Sequence, residues 1–272
     1  MPLDTPFERF RPDPFLFDAG GSRWAVPPAV WTPASLSAVK AWWSADDHGT
    51  ANMTDDGGGL ISSWKDRIGG LALTAATTAR PTWGATAFNG AKAGLTFDGS
   101  ANNLTGTTLT GLPVAAVAGA VWSVGEVTTA VTATVQSIAA YGSGAALRRL
   151  GVHTSGVLKA TGDTAECLQT TPLANGAAFF FEGIFDANVT SYWNGVGATP
   201  VANSLNTATT RIRIGATTGT SATQFFGGAV RHYLITTALS TLQRQQLEGW
   251  LAWDSGLQSL LPAGHPYLSG PP

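Results

Sequence analysis

The stretch from Phe225 to Leu251, FFGGAVRHYLITTALSTLQRQQLEGWL, limits what this chain can become more than any other. Its first part, Gly228 to Ile235, alternates and is rich in branched and aromatic side chains, the pattern of a strand. Ser240 follows, with Gln243 three positions on, the spacing of a capping box that opens a helix. Leu242, Leu247, Trp250 and Leu251 then recur at helical spacing. The predicted ending is a strand feeding one short amphipathic helix, about Thr241 to Trp253, on a chain whose other apolar segments are strand-like.

A chain of 272 residues fits one large sandwich or two small domains, and can bury a core without covalent staples. Charged residues are 12 % of the total, about half the usual ~25 %. Thr, Ala, Gly and Ser take their place. Such a surface is neutral and hydroxyl-rich, suited to packing against other proteins or to handling uncharged ligands. A net charge of −2 with no basic run argues against binding nucleic acid by neutralising phosphates. The single cysteine, Cys167, excludes an intrachain disulfide and a cysteine-built metal site, and reads as a packed thiol because no activating neighbour is evident. The N-terminus carries charges and prolines where a signal peptide has an apolar core, and no run of about 18 apolar residues occurs. Synthesis in a cytoplasm, with no membrane span, is the expectation.

Residues 1–30 read as an extended arm. Pro2, Pro6, Pro12, Pro14, Pro27 and Pro28 oppose regular elements, while Phe7, Phe10, Phe15, Phe17 and Trp24 are more aromatics than a solvated linker needs. Their rings are candidates for an interface with a particle or with a second copy of the chain; the alternative is an arm wrapped on its own domain. Past residue 31, strand patterns recur. Val114 to Val127 is long and apolar, Ala133 to Tyr141 alternates, and Leu147 to Val152 and Val157 to Ala160 flank the turn composition His153-Thr154-Ser155-Gly156. Ala178 to Phe185 is strongly apolar, Asn194-Gly195 is a strong hairpin signal, and Thr210 to Gly215 places Ile212 and Ile214 on one face. Strands at this spacing predict an all-β, two-sheet antiparallel jelly roll.

Two resemblances sharpen the expectation. Phe226, Gly227, Val230, Leu234, Ile235, Leu239, Ser240 and Leu247 resemble the last core strand and short helix of concanavalin A-like and laminin-G-like jelly rolls. Between Trp31 and Gly99 the chain also resembles jelly-roll modules of tailed-bacteriophage virion proteins. It carries Trp31-Thr32-Pro33 with Leu36, the strand with Trp42-Trp43 ending at Ala45-Asp46, and the turn Gly57-Gly58-Gly59. Trp64-Lys65-Asp66, Arg80-Pro81, Asn89-Gly90 and Phe97-Asp98-Gly99 follow in that order. Ile68-Gly69 departs from the small pair usual there. Leu247 to Ala252 and Leu261 to Tyr267 are similar to the C-terminal signature of these modules. The resemblance implies a structural protein of a tailed-phage or phage-derived particle, decorating a capsid or forming part of a fibre or spike. Its partners would be other virion proteins, further copies of itself and a host-surface glycan. The domain plan is an arm at 1–30, a jelly roll at 31–256 and a Pro-rich tail at 257–272.

The concanavalin-like fold also hosts glycoside hydrolases, whose retaining members need two carboxylates about 5 Å apart. No Glu-x-Asp-x-x-Glu cluster occurs; Glu182 and Asp186 share parity but lie about 13 Å apart along a strand. Glu126, Glu166 and Glu248 are isolated in sequence, though folding can unite such groups. No catalytic residue is assigned, and no enzyme activity is expected. Asp46-Asp47 and Asp55-Asp56 are pairs of a kind that loops offer to Ca²⁺, but Asp is equally a turn residue, so no metal is assigned. His48, His153, His232 and His265 lack zinc spacing. For a glycan, Tyr192, Trp193 and Asn194 beside a hairpin tip are the first candidates, since rings stack on sugar faces and amides bond hydroxyls. Trp83 and Tyr141 are further candidates, although most of the ten Trp residues are expected in the core. The competing functions are a polysaccharide-cleaving hydrolase and a free carbohydrate-binding module.

Overall fold

Gly227–Thr237, the longest strand, is the spine of the first sheet. Along one edge it pairs with Gly119–Val127; along the other it pairs first with Lys92–Asp98 and then with Val39–Ser44. Ala178–Phe185, Asn188–Trp193 and the short Val196–Gly197 continue the sheet on one side, and Thr82–Phe88 closes the other. The second sheet runs in the order Glu166–Pro172, Val157–Thr161, Ala146–Val152, Gln136–Ser143, Ile212–Ile214, Leu104–Gly106, Ala72–Thr74, Ile61–Lys65 and Met53–Asp55. Every pairing is antiparallel. The computed structural model describes residues 31–128, 134–219 and 222–272, and the aromatic arm therefore lies outside the described residues. The expected two-sheet jelly roll with a C-terminal helix is the observed architecture.

Alternation along each strand sends one set of side chains into the space between the sheets. Trp43, Trp64, Phe97, Tyr141, Phe179, Phe181, Ile212, Ile214, Val230 and Tyr233 meet there, each essentially free of solvent. Trp43 and Trp64 satisfy each other's strands: Trp43 Nε1 donates to the Trp64 carbonyl at 3.2 Å, and Trp64 Nε1 to the Ser44 carbonyl at 3.1 Å. The motif aspartates act on loops. The buried Asp66 carboxylate accepts the backbone N–H groups of Ile68, Gly69 and Leu71. Asp98 accepts those of Ser100, Ala101 and Asn102, and these bonds outweigh desolvation to hold its pKa down at about 2.

Some predicted boundaries shift. The Val114 segment becomes a strand only at Gly119, because Ala115 adopts φ 51° and turns the chain. Asn194 and Gly195 both have positive φ, as a two-residue hairpin turn requires. The helix spans Thr241–Asp254, with Ser240 accepting from the Gln243 N–H and the Gln243 side chain returning to the Ser240 N–H. Leu247 and Leu251 are buried, but Leu242 is 60 % exposed: it lies roughly 140° around the helix from Leu247 and misses the packed face. The segment after the helix returns to it: His265 Nε2 lies 3.3 Å from Glu248, Tyr267 sits against Gly249, and Trp253 Nε1 donates to the Tyr267 carbonyl at 2.8 Å, while Leu257 and Leu261 are buried. Among the described residues no helix is long and apolar enough to cross a membrane.

Candidate functional site

The outward faces of the two sheets differ. On the first sheet, Trp42, Leu234, Trp122, Glu182 and Tyr192 are successive cross-strand partners and form one row. The helix roofs that row. Trp250 meets Trp42 edge-on at 5.3 Å, and the Arg244 guanidinium lies 4.1 Å over the Tyr192 ring. A β-bulge at Arg231 turns both Arg231 and His232 toward the helix end. Asp254 accepts from Arg231 Nη2 at 2.6 Å and His232 Nε2 at 2.7 Å, while Asp46 takes the same guanidinium at 2.8 and 3.0 Å. Despite its burial, Asp254 is held far below the ordinary carboxylate range by His232 and Arg231.

Asp46, His232 and Asp254 have the spacing of a metal site, but the Arg231 guanidinium already bonds both carboxylates and supplies the positive charge. The other acidic pairs are similarly occupied: Asp47 by Arg67 at 2.8 Å, Asp55 by His48 at 2.9 Å, and Asp56 by Arg80 and Ser62. Cys167 is buried, its Sγ 3.4 Å from Ser191 Oγ and from the Thr199 carbonyl oxygen.

The second sheet carries a different row. Thr74, Thr105, Arg213, Ala140, Arg149, Thr161 and Glu166 are successive register partners across seven strands, one residue from each. They share one face because Ile212, Ile214 and Leu150, at alternate positions, point into the core. The one α-helix among the described residues lies on the other sheet, so this face has no helical roof. Arg213 donates to Thr105 Oγ1 at 3.0 Å and to the Thr217 carbonyl at 2.8 Å. Arg149 donates to Gln224 Oε1 at 2.5 Å, Thr161 Oγ1 at 3.1 Å and Glu166 Oε1 at 3.2 Å, and Lys159 reaches the same oxygen of Glu166 at 2.6 Å. Burial lowers the Arg149 and Lys159 pKa values; against the same penalty, Lys159 and Arg149 hold Glu166 below its ordinary range.

At the Arg149, Thr161 and Glu166 end of this row lies an open depression of about 500 Å³, lined also by Asp163, Thr217 and Gln224 among others. A second, of about 510 Å³, adjoins it across Thr223 and Gln224 and is lined by Ser100, Thr134, Gln136 and Thr154. Gln224 forms the saddle in a left-handed conformation, φ 53°, pinned by its carbonyl to Ser137 N and by its side chain to Arg149. Two polar atoms at the first depression are buried with no protein partner, Arg149 Nε and Asp163 Oδ1. The lining as a whole mixes Thr hydroxyls, a guanidinium and two carboxylates, groups that suit a ligand that both donates and accepts. Arg149 and Lys159 both bond Glu166, and Arg148 is the cation that acts on Asp163.

The residues chosen from sequence for a glycan sit elsewhere. Tyr141 is wholly buried, its hydroxyl donating to the Pro113 carbonyl at 3.0 Å, so no external sugar can reach it. Tyr192 is overlain by Arg244 and packs against Gly197. Trp193 packs against the core, and Asn194 spends its Oδ1 on the Phe180 N–H at 3.0 Å. Trp83 donates Nε1 to the Ala45 carbonyl at 2.8 Å and stacks on His48 at 3.7 Å. Arg149, Arg213 and Gln224 were not singled out; the Arg-Ile-Arg-Ile alternation at Arg211 to Ile214 was the available signal for Arg213. Folding does unite two carboxylates: Glu182 and Glu248 both contact Arg244 Nη1, at 3.8 and 2.5 Å. Each is at most 2 % exposed, so a sugar ring cannot enter between them as an acid–nucleophile pair requires.

No protein-family model and no curated protein sequence matches the chain. Solved structures do. A Trypanosoma rangeli sialidase in complex with sialic acid superposes with a TM-score of 0.55 at 13 % identity, over 88 % of this chain and 36 % of that one. Domain 4 of AbnA, a GH43 extracellular arabinanase from Geobacillus stearothermophilus, in complex with arabinotriose, gives a TM-score of 0.50 at 13 % identity, over 77 % of this chain and 98 % of that one. The chain thus spans about a third of the sialidase and nearly the whole of the arabinanase domain. At such identities the likeness shows the shared fold.

Proposed function

We propose that this chain is a non-catalytic carbohydrate-binding jelly roll, which takes a neutral oligosaccharide in the open groove at the outer face of its second sheet. The observation that carries the reading is the polar groove at the Arg149, Thr161 and Glu166 end of the register row. Sugar hydroxyls donate and accept at once, which matches a groove lined by Thr161 and Thr217 hydroxyls, the Arg149 side chain and the carboxylates of Asp163 and Glu166. The joined depressions offer length for more than one sugar unit. The arabinanase domain solved with arabinotriose, matched over nearly its whole length, is consistent with it. Among the described residues no aromatic lines the first depression and only Phe225 lines the second, so hydrogen bonds dominate and affinity near the millimolar range, about −4 kcal/mol, is expected.

Calorimetric titration with a panel of neutral and acidic oligosaccharides tests this. Binding of a neutral member, weakly dependent on salt and reduced at least tenfold in Arg149→Ala, supports the proposal. Exclusive binding of acidic members with steep salt dependence, or binding indifferent to Arg149→Ala, contradicts it.

A second reading, a virion structural component, is favoured by the ordered motif series between Trp31 and Gly99. The two readings are compatible, since a particle-borne module can present a glycan-binding face. Trp64, Asp66, Phe97 and Asp98 build the core and its loops, however, so the resemblance bears on architecture before location. Mass spectrometry of purified phage particles from cells expressing the chain tests incorporation; absence from every particle removes this reading.

A further inference from the structure

Arg149 is engaged inside the protein, and this leaves two other groups at the groove for a ligand. It is 8 % exposed; its Nη1 donates to Gln224 Oε1 at 2.5 Å and its Nη2 to Glu166 Oε1 at 3.2 Å. One guanidinium thus bridges an amide and a carboxylate that both line the first depression. Three donors converge on the same oxygen of Glu166: Arg149, Lys159 Nζ at 2.6 Å and Thr161 Oγ1 at 3.1 Å. Among the described residues none bonds Glu166 Oε2 or Gln224 Nε2. Both residues are exposed, the Glu166 side chain at 39 %.

The backbone at Gln224 carries the same message. Its φ of 53° is uncommon for a side chain other than Asn, Asp or His, and strain of this kind gathers at ligand sites. It holds Gln224 where the two depressions meet, lining both. An amide whose oxygen is fixed on a guanidinium presents its N–H pair in a set direction, away from that guanidinium. An ionised carboxylate only accepts. Against the desolvation that burial brings, Lys159, Thr161 and Arg149 keep Glu166 in that ionised form. Resting on the carbohydrate-binding reading of this groove, we propose that Gln224 Nε2 and Glu166 Oε2 are its contact pair and that they select a vicinal diol on one sugar ring. One hydroxyl accepts from Gln224 and its neighbour donates to Glu166. Arg149 is the positioning residue, which holds the two groups side by side on its own two terminal nitrogens.

Calorimetric titration of the full chain with cellotriose, maltotriose and mannotriose, and with monodeoxy derivatives of the one that binds best, tests the assignment. Two derivatives lacking adjacent hydroxyls of one ring should each bind roughly tenfold more weakly than the parent. Glu166→Gln should weaken the parent by a similar factor and one of those two derivatives no further. Gln224→Glu, which still accepts from Arg149 but cannot donate, should behave in the same way with the other derivative. Gln224→Gly suits the left-handed backbone and should be as weak as Gln224→Glu, which separates a lost contact from backbone strain. Undiminished binding of the parent by Gln224→Glu or Glu166→Gln, or losses at hydroxyls that are not adjacent, overturns the assignment. If Arg149→Ala is still weakened in that case, the carbohydrate-binding reading itself stands. Failure of the wild type to bind any of the three trisaccharides overturns both.

Discussion

Glu182 shows how one residue's environment decides what it does. In sequence it is a strand glutamate of ordinary appearance; in the fold it faces the helix from within the first sheet, beside Glu248. Its pKa is raised by burial and by that second carboxylate. The folded state therefore holds the proton more tightly than the unfolded chain, and stability falls as pH rises from the unfolded value, near 4.3, toward the folded one. Glu182→Gln removes this loss. The variant should match the wild type near pH 4 and exceed it in denaturant midpoint at pH 8, measured by urea unfolding. A variant less stable than wild type at pH 8 would show that the ionised carboxylate contributes favourably to the fold. The Glu182–Glu248 approach was not legible in sequence, because 66 residues and a sheet-to-helix packing step separate the two. Tyr141 was misread for a related reason: only the register of its strand reveals that its ring points inward.

Elements were legible where local chemistry fixes them. Asn194-Gly195 turns the hairpin, Ile212 and Ile214 face the core together, and Ser240 with Gln243 opens the helix. Each signal spans only a few residues and needs no distant partner. Ser240→Ala should therefore lower stability by about 1 kcal/mol, within the ~0.5–2 kcal/mol range for lost caps, in chemical denaturation. A loss below ~0.3 kcal/mol would mean that packing of Leu247, Trp250 and Leu251 alone holds the helix in place. The groove was harder to see. Its row takes one residue from each of seven strands, and sequence does not reveal which strands become neighbours. The turn that bears Tyr192, Trp193 and Asn194 attracted attention because it is local, yet its side chains are engaged by the fold itself.

At the scale of the molecule, the two sheets divide the labour. The first turns an apolar row outward and covers it with the helix and the segment that follows. The second turns a polar row outward and leaves it without a helix. This asymmetry, more than any single side chain, locates the proposed ligand. It also agrees with a composition poor in charge and rich in hydroxyls. Titration of isotope-labelled protein with a neutral oligosaccharide identified by the panel, followed residue by residue in amide NMR spectra, tests the central claim most directly. The account predicts shifts concentrated at Arg149, Thr161, Thr217 and Gln224, with the 192–195 hairpin and the helix unmoved. Shifts confined to that hairpin, or to Trp83 and its neighbours, would contradict it and return the ligand to the aromatic residues.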